Sequence, residues 1–250
     1  MSTLTNLMQE KNIKALIVDM DGVITHTSQI HADAWKRMVD TFLRKRGEEE
    51  GKEYELMDAE KDYQAYVYGV PRHTAVRNLF KSRGIDLPEG TPEDYMGKET
   101  VVGLGNLKNM YFLELVKQGV EVYEDTVEWL KQQQQAGKRL AVVSSSKNCH
   151  DILQRAGLDR FFEVRVDGLT AAKEGLQPKP APDLFLEAAK CLEVKPEEAA
   201  VFEDDAQGIE AAKAGNFGLA VGINRGAKEQ QLQASGADLL ISNFASLEKV

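Results

Sequence analysis

Short apolar runs that alternate with segments of helical length constrain the fold of this chain more than any other feature. Five such runs occur, at residues 15–18, 140–143, 199–202, 219–221 and 239–241. This alternation is typical of βαβ units, in which parallel strands are buried beneath helices on both faces of a sheet. It therefore predicts an α/β fold with a doubly wound parallel sheet, and it predicts that ligands bind at the carboxyl ends of the strands.

The alternation is interrupted once, after the first predicted strand. Between about His31 and Gly119 there is no comparable apolar run, and the segment combines helical periodicity with dense charge, as at residues 44–50. These properties indicate a helical insert with connections near residues 25–28 and 119–124. We therefore expect a core domain of residues 1–28 and 120–250 and a helical cap domain of residues 29–119.

Composition and charge argue against several classes of function. A chain of 250 residues, 42% hydrophobic and 28% charged, is typical of a globular protein with a substantial core. Its net charge of −9, with no basic stripe, argues against a nucleic-acid partner. We expect neither a signal peptide nor a membrane span, because no apolar run is long enough. Cys149 and Cys191 lack CxxC or metal-binding spacing, which favours a reduced, cytoplasmic location. We also expect a monomer.

Two carboxylates, Asp19 and Asp21, directly follow the first predicted strand. Side chains at positions i and i+2 of an extended backbone point the same way, so the pattern predicts that these carboxylates converge. Converging carboxylates repel each other unless a cation or a shared proton offsets the repulsion. Such a pair is typical of a site for a hard cation such as Mg²⁺, or of a nucleophile beside a general acid/base.

Three further polar clusters lie beside predicted strands or loops. Residues 144–148 supply hydroxyls and a lysine where a helix is expected to begin, which favours anion binding. Lys179 lies between two prolines that restrict the backbone, although a solvated loop lysine is an alternative. Residues 203–205 are three acids that end another strand, either as metal ligands or as a cap for the next helix.

The order of these motifs resembles that of the haloacid dehalogenase superfamily and, within it, of the β-phosphoglucomutase-like family. Beyond the start of the insert, the resemblance within it is limited to residues 69–72 and 108–109. It implies a Rossmann-like core with an inserted α-helical cap. The segments that carry the resemblance in the core and at the start of the insert are residues 19–25, His31, Ala34, Trp35, residues 144–148, residues 179–183, Glu203, Asp204, Gly208 and Ile209.

The resemblance also implies a role for individual residues. Asp19 would be the nucleophile that forms an aspartyl phosphate, and Asp21 would be the general acid/base. Ser144 and Lys179 would hold the transferring phosphate, and Lys179 would help to keep Asp19 ionised. The implied ligands of a Mg²⁺ cofactor are Asp19, Asp21 through its backbone carbonyl, Glu203 and Asp204. The implied substrate-binding residues are Thr25, His31, Arg72, Lys108, Ser146, Lys147 and Asn148.

We expect the ligand to be a small phosphorylated sugar, and three functions are compatible with it. A mutase that converts β-glucose 1-phosphate into glucose 6-phosphate is favoured, because Arg72 and Lys108 resemble the family's second phosphate-binding group. A phosphatase, in which water attacks the aspartyl phosphate, is the alternative, and a non-catalytic sugar-phosphate sensor is a third. Acceptor specificity stays open because His26 and Asp205 depart from the family pattern and the insert is longer than in compact phosphoglucomutases.

Overall fold

A computed structural model of the protein describes residues 2–67, 70–226 and 228–247. The chain forms two compact units, a core unit of Met1–Thr27 with Val120–Val250 and a helical unit of Ser28–Gly119. Ser28, which the sequence-based division assigned to the core, lies in the helical unit. Among the described residues, no helix combines the length and apolarity that a membrane span requires.

A parallel sheet of six strands forms the centre of the core unit. The strands are β1 (Ala15–Asp19), β2 (Arg139–Val143), β3 (Val164–Val166), β4 (Ala199–Glu203), β5 (Leu219–Ile223) and β6 (Leu239–Ile241). They pair in the order β3-β2-β1-β4-β5-β6. The predicted α/β fold is confirmed, and β3 is the strand that the apolar runs did not reveal.

Of the core unit's helices, one precedes β1 and the others lie between strands in the sequence. They are α1 (Thr3–Glu10), α5 (Glu124–Gln135), α6 (Cys149–Arg155), α7 (Gly168–Glu174), α8 (Asp183–Cys191), α9 (Ala206–Ala214) and α10 (Glu229–Ala234). Val201 belongs to one apolar cluster with Phe185 of α8 and Ile209 of α9. Its neighbour Phe202 instead packs against Trp129 of α5, with ring centroids 5.1 Å apart. Because successive strand residues face opposite sides, the sheet is covered on both faces.

The strand order brings three chain segments to one edge of the sheet. The central strand β1 lies between β2 and β4, with Asp19 opposite Val143 and Val18 opposite Phe202. All three strands run parallel, so the residues that follow them emerge at the same carboxyl edge. This topology places the acids after β1 and β4 beside the serines after β2.

The helical unit has a separate apolar core. Its helices are α2 (Thr27–Glu50), whose first residue belongs to the core unit, α3 (Arg72–Lys81) and α4 (Val101–Gln118). A single π-helical turn spans Tyr63–Val67. Trp35 and Met38 of α2 pack with Phe80 of α3 and Leu104 of α4. The described part of this unit contains no strand, and Gly69, which belongs to a segment quoted for the family resemblance, lies outside the described residues.

Candidate active site

A buried lysine joins the acids that end β1 and β4. The ammonium of Lys179 donates a hydrogen bond to Asp19 Oδ1 at 2.6 Å and another to Glu203 Oε1. Asp19 is 6% exposed and Glu203 is fully buried, while the Lys179 side chain is 11% exposed. Lys179 is therefore a buried ion-pair partner, and the alternative of a solvated loop lysine is wrong.

Burial and mutual repulsion control the protonation of these carboxylates. Burial raises the pKa of Asp19, Glu203 raises it further, and Lys179 opposes both effects. Burial also raises the pKa of Glu203, again against the effect of Lys179. Burial lowers the pKa of Lys179, but the two carboxylates more than reverse this, so its pKa rises and it stays protonated. Lys179 lowers the pKa of Asp19, as expected for a residue that helps to keep it ionised, although burial raises this pKa by more.

The acids at this edge fit a hard divalent cation. Asp19, Glu203 and Asp204 can each offer one carboxylate oxygen, and these oxygens lie within 4.8 Å of one another. Glu203 Oε2 is buried without a hydrogen-bond partner, which is costly unless a cation or water satisfies it. Gly22, with φ of 81°, permits close approach, because a Cβ there would overlap the Asp204 carboxylate. All-oxygen ligand sets suit Mg²⁺.

Asp21 lies in a turn beyond the end of β1, so strand alternation is not what positions it. It forms an isolated bridge with Thr25, and its carboxylate accepts hydrogen bonds from the hydroxyls of Thr27 and Ser144, the latter at 3.3 Å. Burial raises the pKa of Asp21, and the hydrogen bond from Thr27 lowers it. Among the described residues, its carboxylate is not part of the three-acid group.

Two threonines near Asp21 have different contacts. Thr27 is fully buried against Asp21, and sequence reasoning missed it because no motif marks a hydroxyl at this distance from the carboxylate. Thr25, expected to bind substrate, is also fully buried, and its hydroxyl donates to the Met20 carbonyl at 3.2 Å. The Gly22 amide donates to the Thr25 carbonyl. Thr25 therefore closes the turn that carries Asp21.

The segment after β2 is a loop ordered by its own hydroxyls. The Ser146 amide donates to Ser144 Oγ and the Asn148 amide donates to Ser146 Oγ, each at 3.1 Å. Helix α6 begins at Cys149, directly after this segment, with Asn148 at its N-cap position. Asn148 is buried and Lys147 is exposed. From this loop, the segment can present hydroxyl, amide and ammonium groups to a phosphate.

The structure gives contacts for the two residues that depart from the family pattern, His26 and Asp205, and for a lysine that pairs with Asp204. Asp205 caps α9, since its carboxylate accepts from the Gln207 amide at 2.8 Å. His26 is exposed and packs against Tyr123, with ring centroids 3.6 Å apart and the rings tilted by 35°. Lys228 donates to Asp204 Oδ2 at 2.8 Å, and sequence reasoning gave no signal for this contact because the two residues meet only in the fold.

The helical unit holds its own group of basic side chains. The Lys108 ammonium is 2.8 Å from His31 Nδ1 and 4.7 Å from the centre of the Phe112 ring, and Lys108 is 3% exposed. Burial lowers the pKa of His31, and Lys108 and Arg72 lower it further, so its neutral ring can accept from the ammonium. Arg72 donates to Asn109 Oδ1 at 2.9 Å, and burial lowers its pKa.

Arg72 has no carboxylate within ion-pair distance among the described residues. Partial burial of a guanidinium without an acid is costly, and an anionic ligand would offset that cost. This group therefore has the chemistry of an anion-binding site.

Residues 13–216 match a family model described as a haloacid dehalogenase-like hydrolase. The chain belongs to the haloacid dehalogenase family. Over 241 residues it is 44% identical to a Mycobacterium bovis protein named β-phosphoglucomutase, covering 95% of this chain and 92% of that protein. A Thermotoga maritima protein named phosphorylated carbohydrates phosphatase is 28% identical over 233 residues, 92% of this chain and 94% of that protein.

A solved structure shares the fold of this chain. The crystal structure of β-phosphoglucomutase from Clostridium difficile matches with a TM-score of 0.72 at 24% identity, covering 95% of this chain and 94% of that one. The predicted haloacid dehalogenase fold is confirmed, as is the prediction of a phosphoryl-transfer enzyme of the mutase or phosphatase kind.

Proposed function

We propose that this haloacid dehalogenase enzyme is a β-phosphoglucomutase that converts β-glucose 1-phosphate into glucose 6-phosphate. The observation that carries the proposal is the buried Asp19, ion-paired to Lys179 beside Glu203 and Asp204. The 44% identity to a relative of that name supports the choice of reaction. The substrate class is a small phosphorylated sugar.

In the first half-reaction, Asp19 is the nucleophile. Its Oδ2 is the oxygen that does not accept from Lys179, and it attacks the phosphorus of the phosphorylated sugar or bisphosphate. The bond from phosphorus to the sugar oxygen breaks, and Asp21 gives that oxygen a proton. Lys179 and Ser144 hold the phosphoryl oxygens in place, which matters because positioning and charge account for most of this barrier.

In the second half-reaction, a free hydroxyl of a bound sugar phosphate gives its proton to Asp21 and attacks the phosphorus of the aspartyl phosphate, which forms a sugar bisphosphate. The bond to Asp19 breaks, so the nucleophile is regenerated. Asp19, Asp21, Glu203 and Asp204 are the residues that would hold Mg²⁺, with Asp21 contributing its backbone carbonyl. When bound, the cation supplies positive charge that offsets the phosphoryl oxygens.

A mutase must also bind the phosphate that is not reacting. We assign this task to Arg72 and Lys108, supported by the burial of Lys108 and the partial burial of Arg72, with His31 holding the Lys108 ammonium. Guanidinium groups suit bidentate contact with phosphate. The remaining contacts are assigned to Ser146, Lys147 and Asn148, while Thr25 acts through the Asp21 turn.

A phosphatase is the second candidate, since the Thermotoga maritima relative is named phosphorylated carbohydrates phosphatase. In that reaction water replaces the second sugar hydroxyl. A non-catalytic sensor would bind the ligand without turnover, which the assembled nucleophile and lysine disfavour.

One assay separates these candidates. The protein is incubated with β-glucose 1-phosphate, Mg²⁺ and a trace of glucose 1,6-bisphosphate, and glucose 6-phosphate and free phosphate are followed separately. A mutase yields glucose 6-phosphate with little free phosphate. Brisk phosphate release without isomerisation identifies a phosphatase, and binding without either product identifies a sensor.

Two further expectations stay predictions, namely a monomeric state and a cytoplasmic location. Light scattering after gel filtration tests the first, and cell fractionation tests the second.

A further inference from the structure

Lys228 places an ammonium on a carboxylate that the proposed function assigns to the metal. Its Nζ lies 2.8 Å from Asp204 Oδ2 and 3.1 Å from the Asp204 carbonyl oxygen. The Lys228 side chain is 34% exposed and that of Asp204 is 22% exposed, so water screens the pair only in part. We propose that Lys228 is an internal counter-ion that competes with the divalent cation for Asp204 and weakens its binding. The inference rests on the proposed function of this site.

The loop after β5 holds Lys228 at this position. The Asn224 amide donates to the Ile241 carbonyl at 2.8 Å, which fixes the start of the loop to β6. Asn224 Oδ1 then accepts from the amides of Gly226 at 3.4 Å and Lys228 at 3.2 Å. The backbone of Lys228 is thus tied to the sheet edge through one asparagine side chain.

Arg225 provides a second anchor for the same loop. Its Nη2 donates to Asp125 Oδ1 at 3.0 Å and to Thr126 Oγ1 at 2.6 Å. Its guanidinium carbon lies 3.7 Å from the centre of the Tyr123 ring, a cation–π distance. Asp125 also accepts from the Phe244 amide at 2.7 Å. These contacts hold the loop backbone at Arg225, three residues before Lys228.

The sign of the effect follows from electrostatics. A cation that binds Asp204 must either displace the ammonium or tolerate a like charge a few ångströms away, and both are unfavourable. Lys179 neutralises Asp19 and Glu203 from deep within the unit, whereas Lys228 neutralises Asp204 from the partly exposed side. Removing the Lys228 charge should therefore leave Asp204 more available to a cation.

The test measures metal binding to substrate-free protein, without turnover. Mn²⁺ shares the preference of Mg²⁺ for oxygen ligands, and its free concentration can be read from its electron paramagnetic resonance signal. We expect Lys228→Met to bind Mn²⁺ about three- to tenfold more tightly than the parent, from the lost ion pair and repulsion. Lys228→Arg keeps the charge and should bind Mn²⁺ like the parent.

Lys213→Met is the matched control for net charge. Lys213 pairs with Asp238 at 2.7 Å in the same unit, and neither residue belongs to the acid cluster. Its substitution should leave Mn²⁺ affinity unchanged. Circular dichroism checks the fold of each variant, and Lys228→Gln repeats the charge removal if the methionine variant is poorly folded.

The outcomes separate this inference from the proposed metal site. Unchanged or weaker Mn²⁺ binding by folded Lys228→Met and Lys228→Gln overturns the role of Lys228 while leaving the site intact. An equal gain in Lys213→Met overturns it as well, because the effect would then come from net charge. A parent protein that binds no Mn²⁺ overturns both the metal site and this inference.

Discussion

The Asp19 side chain combines a structural contact with its proposed chemistry, and substitution can separate them. Asp19→Asn keeps the shape of the side chain and an oxygen that can accept from Lys179, so the fold should be retained. An amide cannot form an aspartyl phosphate, and we expect phosphoryl transfer to be lost. Product formation and mass spectrometry of trapped phosphoprotein measure this, with thermal unfolding as the control. Substantial turnover by the folded variant would exclude Asp19 as the nucleophile.

Asp21→Ala should remove proton transfer and leave the nucleophile in place. General acid–base catalysis contributes a factor on the order of 10² to 10⁴, so turnover of the sugar phosphate should fall by about that amount. An activated aryl phosphate needs little protonation of its leaving group, so its phosphorylation step should be affected much less. Rapid-quench measurement of both substrates tests this. Equal losses for both would show that Asp21 serves something other than proton transfer.

At the scale of elements, the strands could be predicted where their residues form a continuous apolar run, and this includes the half-buried edge strand β6. Strands β1, β4 and β5 are buried at every position, so each reads as a continuous apolar run. Strand β3 has only three residues, lies at an edge of the sheet and buries Val166 while Arg165 is exposed. No apolar run forms there, and its place in the sheet depends on pairing with β2. Single-sequence periodicity cannot detect such a strand.

The candidate site also contains residues that the sequence predicted and residues that it did not. Asp19, Asp21, Glu203 and Asp204 were found because strand ends and acids coincide in the sequence. Lys228 could not be found like this, because its contact with Asp204 arises when two strands become neighbours. Thr27 is near Asp21 in sequence, but only the turn between them directs its hydroxyl to the carboxylate.

Helix α3 allows a controlled test of the second phosphate contact. Arg72→Ala removes the proposed charge-assisted phosphate contact, worth roughly 1.5 to 3 kcal/mol, so isomerisation should slow by about ten- to a hundredfold. Hydrolysis of a small aryl phosphate should be spared. Arg77→Ala lies on the same helix and removes only an exposed pair with Glu89, so it should leave both activities unchanged. Rates are compared at saturating Mg²⁺ over a range of bisphosphate concentrations.

An unchanged isomerisation rate in Arg72→Ala would exclude this residue from phosphate binding. If the parent itself released phosphate briskly and formed no glucose 6-phosphate, the phosphatase candidate would replace the mutase.

The turn between α3 and α4 should make the helical unit sensitive to acid. Asp94 accepts from the Lys98 ammonium at 2.6 Å and from the Thr100 hydroxyl at 2.6 Å, and these contacts lower its pKa to about 2. An aspartate in an unfolded chain has a pKa of about 3.9. The stabilisation is therefore present above about pH 4 and is lost as the pH falls towards 2.

Asp94→Asn should consequently destabilise the helical unit at pH 7, and its difference from the parent should shrink between about pH 4 and pH 2. Urea unfolding, followed by Trp35 fluorescence in a Trp129→Phe background, reports on this unit, since the chain has two tryptophans. Glu93→Gln, which changes an exposed neighbour, is the control and should show no such dependence on pH. A difference that stays constant across this range would exclude Asp94 as the cause.

At the scale of the whole molecule, the fold keeps four acidic residues close to one edge of the sheet, and a bound cation should stabilise that arrangement. A ligand that binds only the native state at 100 times its dissociation constant adds about 2.7 kcal/mol to the free energy of unfolding. We therefore expect Mg²⁺ to raise the melting temperature of the parent. Chelator should abolish turnover, and added Mg²⁺ should restore it.

Substitutions of the adjacent residues Asp204 and Asp205 test this prediction, with Asp205 as the control. Asp204→Asn removes a proposed ligand, so Mg²⁺ should no longer raise the melting temperature. Asp205→Asn changes the cap of α9, so it can lower the melting temperature but should keep the shift produced by Mg²⁺. Calorimetry of both variants with and without Mg²⁺ separates metal binding from helix capping. Full activity of the parent in chelator, or an undiminished shift in Asp204→Asn, would exclude the proposed metal site.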